Sequence, residues 1–372
     1  MHKMTFFPIN NGDTCLIELA NGRKILFDYA DQRNADDPDD LSVDLPMALR
    51  ERLDGCDTID IVAFTHPDQD HIAKAPEFFH LDHSPDHQGG DRIKITEMWV
   101  PSGTITEDAS LDDAILLQKE AQHRLRHGEG IRVFSRPEEL EEWFKREGIK
   151  REDRKKLCTD AGTCAPGFKL MDDGVEFFVH SPFATRQDDQ TLIERNECSL
   201  VFQVRFEVDG VCTNVIMAAD APHAALTEMV NQTRSHDNEE RLAWDIFKLP
   251  HHCSYLSLSD EKGTYQTVPV EKVKWLFEQG SMGGLIVCSS KLIPNGDTDQ
   301  PPHVQAARYY RERVRKMSNI TDEAEFVVTM EHPTRTAPEP LVITIDQRGP
   351  TREKRPRLGA ASIIGRPAPR AG

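Results

Sequence analysis

An apolar run, Ile59-Asp60-Ile61-Val62-Ala63-Phe64, leads directly into Thr65-His66-Pro67-Asp68-Gln69-Asp70-His71. The first stretch reads as a buried β-strand. The second places four potential metal ligands, His66, Asp68, Asp70 and His71, within six residues. A strand that ends this way delivers imidazoles and carboxylates to one edge of a sheet. Such a cluster is costly to assemble unless a cation neutralises it. Mixed nitrogen and oxygen ligands are the usual signature of Zn or Mn sites. The competing reading is a solvated acidic loop with two incidental histidines.

The rest of the chain surrounds this motif with alternating strand and helix patterns. Met4–Ile9 reads as a strand before the turn residues Asn10-Asn11-Gly12-Asp13. Thr14–Leu19 and Lys24–Asp28 form a hairpin pattern across Ala20-Asn21-Gly22-Arg23. Leu45–Leu53 is amphipathic, Ile72–Phe79 reads as a short helix, and a polar His/Asp loop follows from Leu81 to Asp91. Further strands are expected at 94–100, 175–180, 199–206, 212–218, 243–249, 284–288, 326–330 and 341–345, with helices at 222–230 and 304–317. Residues 107–160 change character. Leu111–Arg126 and Pro137–Arg146 read as charged helices, so this segment is expected to be a helical insertion. Strands followed by helices, twice over, predict a two-sheet layered α/β domain spanning residues 1–346. Residues 347–372, rich in Lys, Arg and Pro, read as a basic disordered tail.

Composition narrows the class. No apolar run approaches the ~20 residues that a membrane span needs, so no membrane association is expected. The N-terminus has no long apolar core of a signal peptide, and a cytoplasmic location is expected. The eight cysteines are scattered without a Cys-x-x-Cys pair and read as reduced thiols. A formal net charge of −18 opposes non-specific attraction to nucleic acid or anionic membrane. It leaves room for a polyanionic substrate held at a metal centre.

Three acidic or histidine clusters fall at strand ends: the 66–71 motif, Asp220 after the strand near 215–218, and His251-His252 after the strand near 243–249. Each alone has an ordinary explanation. An Asp after a strand is often a helix N-cap, and a His pair often sits satisfied in a loop. All three in this order are far more specific.

At these residues the chain resembles a metallo-β-lactamase-fold hydrolase, and more narrowly the soluble hydrolase domain of the competence protein ComEC and its stand-alone relatives. The resemblance rests on Asn11-Gly12-Asp13, the hairpin ending in Asp28, His66-Pro67-Asp68-Gln69-Asp70-His71, Asn196-Glu197-Cys198-Ser199-Leu200-Val201, Ala219-Asp220-Ala221, Lys248-Leu249-Pro250-His251-His252-Cys253-Ser254 and Pro301-Pro302-His303. It implies a four-layer αββα sandwich. It also implies two divalent ions, Zn or Mn, that share Asp220 and a bridging water. His66 and Asp68 would hold one ion; Asp70, His71 and one of the 251/252 pair would hold the other. His252 is favoured because the ligand of the wider fold precedes a Gly-like position. His251 would then contact a substrate oxyanion or protonate the leaving group, with Asp70 also counted in the catalytic set.

Two positions depart from the wider fold. Asp68 stands where His is commoner, which makes that metal position harder and favours Mn or Mg. Asn196 falls near another ligand position, and the ComEC-like branch shares it. His180 and His303 are further candidates as ligand or substrate contact. The resulting expectation is a metal-dependent phosphodiesterase or nuclease acting on a phosphodiester or nucleic-acid substrate. Other readings are a lactone, thioester or other ester hydrolase of the same fold, or a non-catalytic partner-binding subunit that uses the 107–160 segment as its contact surface.

Overall fold

The computed structural model describes residues 1–135, 137–182 and 199–353. In chain order the strands are β1 (His2–Phe6), β2 (Cys15–Glu18), β3 (Lys24–Phe27), β4 (Thr58–Ala63), β5 (Lys94–Pro101), β6 (Ile131–Phe134), β7 (Cys158–Thr159), β8 (Val175–Ser181), β9 (Val201–Val208), β10 (Val211–Met217), β11 (Trp244–Lys248), β12 (Gly280–Cys288), β13 (Glu325–Val328), β14 (Pro333–Thr334), β15 (Ala337–Pro338), β16 (Leu341–Asp346) and β17 (Gly349–Arg352). The first sheet runs β17-β16-β1-β2-β3-β4-β5-β6-β7 and the second β13-β12-β11-β10-β9-β8.

Period-two alternation decides which face each side chain takes. On β3, Ile25 and Phe27 enter the core between the sheets while Leu26 points to the outer face. On β10, Val215 and Met217 face inward and Ile216 outward. The central core is aromatic: Phe202 meets Trp99, Phe134, Phe27 and Phe177 with ring centroids 5.3–6.4 Å apart. Outside the first sheet, the helices Leu45–Leu53, Asp112–His127 and Glu138–Arg146 bury Leu49, Leu117 and Trp143. Outside the second, His223–Ser235, Glu271–Glu278 and Val304–Lys316 bury Leu226, Phe277 and Tyr310. The order is helix, sheet, sheet, helix: the four-layer αββα sandwich expected from the sequence.

Two expectations need correction. The 107–160 segment contains both predicted helices, but β6 and β7 extend the first sheet in parallel from β5. It belongs to the sheet rather than forming a helical insertion. The four residues of β6 are all buried, yet they are too short a run to stand out between two charged helices. The domain also continues past residue 346. Gly349–Arg352 pairs antiparallel with β16, and its polar composition hid an edge strand inside the stretch read as a tail. Residues 354–372 lie outside the described residues. The single helix expected over 72–79 is two short turns, Gln69–Ile72 and Ala75–Phe78.

Parallel pairing across β3-β4-β5-β6 and across β10-β11-β12-β13 brings the C-terminal ends of several strands to one edge. Ligands gather at such edges in α/β sheets, because the connecting loops that follow the strands meet there. Removing the ring at the centre of the sandwich tests its role. Phe202→Ala should lower unfolding stability by about 3–5 kcal/mol in denaturant titration, with most of the loss restored in Phe202→Leu.

Candidate metal centre

The cluster is built around His71, which is fully buried in the turn Gln69–Ile72. Its Nδ1–H donates to Asp28 Oδ2 at 2.8 Å. The backbone N–H and hydroxyl of Thr65 donate to the two oxygens of the same carboxylate, each at 2.7 Å. Asp28 sits just beyond β3 in the left-handed region, φ 56°. With Nδ1 committed, Nε2 faces Asp220 Oδ1 at 3.1 Å and Asp13 Oδ2 at 3.9 Å. A carboxylate that fixes one imidazole nitrogen and so presents the other is the usual support of a metal-binding histidine.

Asp220, 2% exposed after β10, is the common neighbour. Its Oδ2 lies 3.6 Å from His252 Nε2, 3.9 Å from His66 Nε2 and 4.0 Å from His251 Nε2. The His251 backbone N–H donates to Asp220 Oδ1 at 3.2 Å. His252 is anchored like His71: Nδ1–H donates to Ser289 O at 3.0 Å, and Nε2 faces Asp70 Oδ2 at 2.9 Å. His66 Nε2 is buried, 3.7 Å from Asp68 Oδ2, and makes no hydrogen bond among the described residues. Two ligand groupings result, each with its ligand atoms within 4.8 Å of one another: Asp13, His71, Asp220 and His252; and His66, Asp70 and His71.

Protonation follows this geometry. Burial pushes His66 down to about 3, leaving a neutral ring with an available lone pair. Burial also works against charge on His71 and His252, but the carboxylates override it: Asp28 and Asp220 raise His71 well above its ordinary range, and Asp220 and Asp70 raise His252 to about 9. Asp220 and Asp70 are held below the usual carboxylate range against burial by the same histidines. In the absence of a cation the imidazoles thus serve as counter-ions. The buried, unpartnered Asp13 Oδ1 and His66 Nε2, together with the convergence of three carboxylates, fit a divalent cation of nitrogen-and-oxygen preference.

The sequence-predicted residues divide clearly. His66, Asp68, Asp70, His71, Asp220, His251 and His252 come together. His303, 1% exposed, adjoins the His251–Ser254 loop: its N–H donates to Cys253 O, and the Tyr255 N–H donates to its Nδ1 at 3.4 Å. His180 stands apart. Its Nε2–H donates to Arg241 O at 2.9 Å, and the Thr233 hydroxyl lies 3.3 Å from Nδ1. Its strand carries it to Arg241 and the helix His223–Ser235, so it does not join the cluster. Asn196 lies outside the described residues.

Besides Asp28, which the sequence reading gave only as the end of a hairpin, Asp13 and Lys248 belong here without an assigned role in that reading. Asp13, taken as a turn signal, is buried beside His71. Lys248, at the end of β11 and 4% exposed, is bonded through its ammonium to Asp13 Oδ2 and lies 3.4 Å from Ala219 O. A lysine inside the apolar run Ile246-Phe247-Lys248-Leu249 was the available signal, since an ammonium in that position needs a buried partner. The loop is strained: His251, His252 and Cys253 are all left-handed, at φ 48°, 52° and 67°. Such a run is rare outside glycine. Hydrogen bonds from His251 N to Ala219 O and from Ser254 N to His251 O hold it.

His180 generates a prediction about acid stability. Burial lowers its folded-state pKa to about 4. The unfolded chain therefore binds the extra proton first as pH falls, and stability declines between about pH 6.5 and 4 by up to about 3 kcal/mol. His180→Gln should flatten that part of the stability–pH curve measured by chemical denaturation.

No family model matches the sequence, and no curated protein matches it. Solved structures to which the chain is similar include a diphosphatase from the PhnP family, at 11% identity and TM-score 0.34, covering 88% of this chain and 95% of that one. Zn2+-bound PqqB from Methylobacterium extorquens is similar at 10% identity and TM-score 0.36, covering 88% and 98%. A long form of RNase Z from yeast is similar at 9% identity and TM-score 0.32, covering 88% of this chain and 40% of that one.

Proposed function

We propose that this protein is a metal-dependent hydrolase whose best-fitting substrate is a phosphodiester, nucleic acid included. The observation that carries the reading is Asp220, a single buried carboxylate whose Oδ1 faces His71 and whose Oδ2 faces both His66 and His252. That is the position a ligand shared by two ions would take. His66 and Asp68 would hold one ion; Asp70, His71 and His252 would hold the other. Divalent ions bound there supply Lewis-acid activation of water and of the scissile group. The site's histidines keep their Nε2 atoms turned inward because Asp28 and Ser289 occupy the Nδ1 atoms of His71 and His252.

His251 has a separate role. Its side chain is 22% exposed, more open than His66, His71 or His252. Burial lowers its pKa, so the ring is neutral near pH 7. Placed at the mouth of the cluster, the neutral ring can donate its N–H to a substrate oxyanion, or take the proton released by the attacking water and pass it to the leaving group. The carboxylates at 68 and 70 make the metal positions harder and favour Mn or Mg, which supports phosphodiester over lactam or thioester chemistry.

Purified protein supplied with Mn or Zn should cleave bis(p-nitrophenyl) phosphate, DNA or RNA. Asp70→Ala and His71→Ala should abolish cleavage and reduce bound metal by elemental analysis. Wild-type protein inactive on all three across both metals would overturn the phosphodiester reading, and activity confined to lactones or thioesters would favour the ester-hydrolase alternative. His251→Gln should retain the metal content of wild type while kcat falls about 10²–10⁴-fold, the ordinary worth of a positioned proton-transfer group. Loss of one metal equivalent in that variant would make His251 a ligand instead.

A further inference from the structure

The His/Asp-rich loop after the metal motif, His80-Leu81-Asp82-His83-Ser84-Pro85-Asp86-His87, has no part in the proposed reaction. It packs against the last turns of the helix Asp112–His127. That region lies at the opposite edge of the first sheet from the metal centre, because Arg124 in the same turns donates to Ile95 O and Gly130 O, where β5 and β6 begin. Three imidazoles line up there. His83 and His123 have ring centroids 6.5 Å apart, and His123 and His127, four residues apart on the helix, 4.2 Å apart.

Their nitrogens are sorted by hydrogen bonding. His83 Nδ1–H donates to Glu120 Oε2 at 2.8 Å. Glu120 is fully buried and fixed in turn by Arg124 Nε at 2.7 Å. His127 Nδ1–H donates to the His123 carbonyl at 2.9 Å. Both rings therefore present Nε2 as a lone-pair acceptor, and the carboxylate behind His83 is the outer-shell partner that metal-binding histidines commonly have. Two imidazoles on one tetrahedral ion, with bonds of about 2 Å, have ring centres about 5 Å apart. The observed separations, 6.5 and 4.2 Å, lie on either side of that figure, and a shared ion requires the three rings to rotate toward one another. Burial and the neighbouring His127 keep His123 below the ordinary imidazole range, hence neutral. Glu120 and Asp82 outweigh Arg124 by one negative charge, which suits a cation.

We propose that His83, His123 and His127 form a second, peripheral site for a transition-metal ion of imidazole preference, Zn2+, Ni2+ or Cu2+, with the remaining position left to water. The test is isothermal titration of chelator-stripped full-length protein with Zn2+, alongside elemental analysis. Wild type should bind one more ion than His123→Gln/His127→Gln, and His83→Gln should weaken that ion at least about tenfold. Asp70→Ala/His71→Ala should keep the peripheral ion while losing metal from the main centre. All three histidines lie at or near the surface, and equal thermal melts of the metal-free variants establish that folding is intact. Equal stoichiometry and Kd in wild type and His123→Gln/His127→Gln would overturn the proposal, whatever the outcome at the main centre.

Discussion

His71 is the point on which the site depends. Its ring is clamped between Asp28 at the edge of the first sheet and Asp220 at the edge of the second, at 2.8 and 3.1 Å. An imidazole with a carboxylate on each nitrogen joins the two halves of the sandwich through charge-assisted hydrogen bonds, and these are stronger in a buried setting than in water. Thr65 completes the clamp by donating twice to Asp28. The orientation of His71 is thus set before any ligand arrives, and the directions open to Asp220, His66 and His252 follow from it.

The surrounding structure works to make that concentration of charge tolerable. Several carboxylates converge within a region closed to water, an arrangement that would be expelled if unpaired. Lys248 answers Asp13, and the histidines answer Asp70 and Asp220. The left-handed run at His251–Cys253 is a local cost of turning His252 inward and His251 outward from adjacent positions. Fixed groups elsewhere absorb it, among them Ser289 O, which holds the His252 ring. Asn11 ties the neighbouring loops together by donating to Pro301 O and accepting from Lys291 N. Rigid sheets with short, bonded loops hold such groups in place more precisely than mobile loops would.

Much of this was legible in the chain. The strand patterns at β1–β3 and β9–β10 were readable from the chain. The spacing from His66 to His71, with Asp220 and His251-His252 at later strand ends, identified nearly every residue of the cluster. What escaped reading had physical causes. β6 is four buried residues between charged helices, and β17 is an edge strand of polar composition, so neither carries a hydrophobic period to detect. Asp13 resembles any turn aspartate until a sheet folds it against His71. His180 resembles a ligand until its strand delivers it to Arg241 and Thr233.

The sequence by itself determined the types of group available, their order, and the strand ends from which they project, because side-chain periodicity and turn chemistry are local properties. Only the tertiary structure decided which groups meet. Partnership between Asp28 and His71, Asp13 and Lys248, or Asp70 and His252 joins residues 43, 235 and 182 positions apart. Such contacts depend on how two sheets pack and in what register, and no short-range pattern in the chain encodes that.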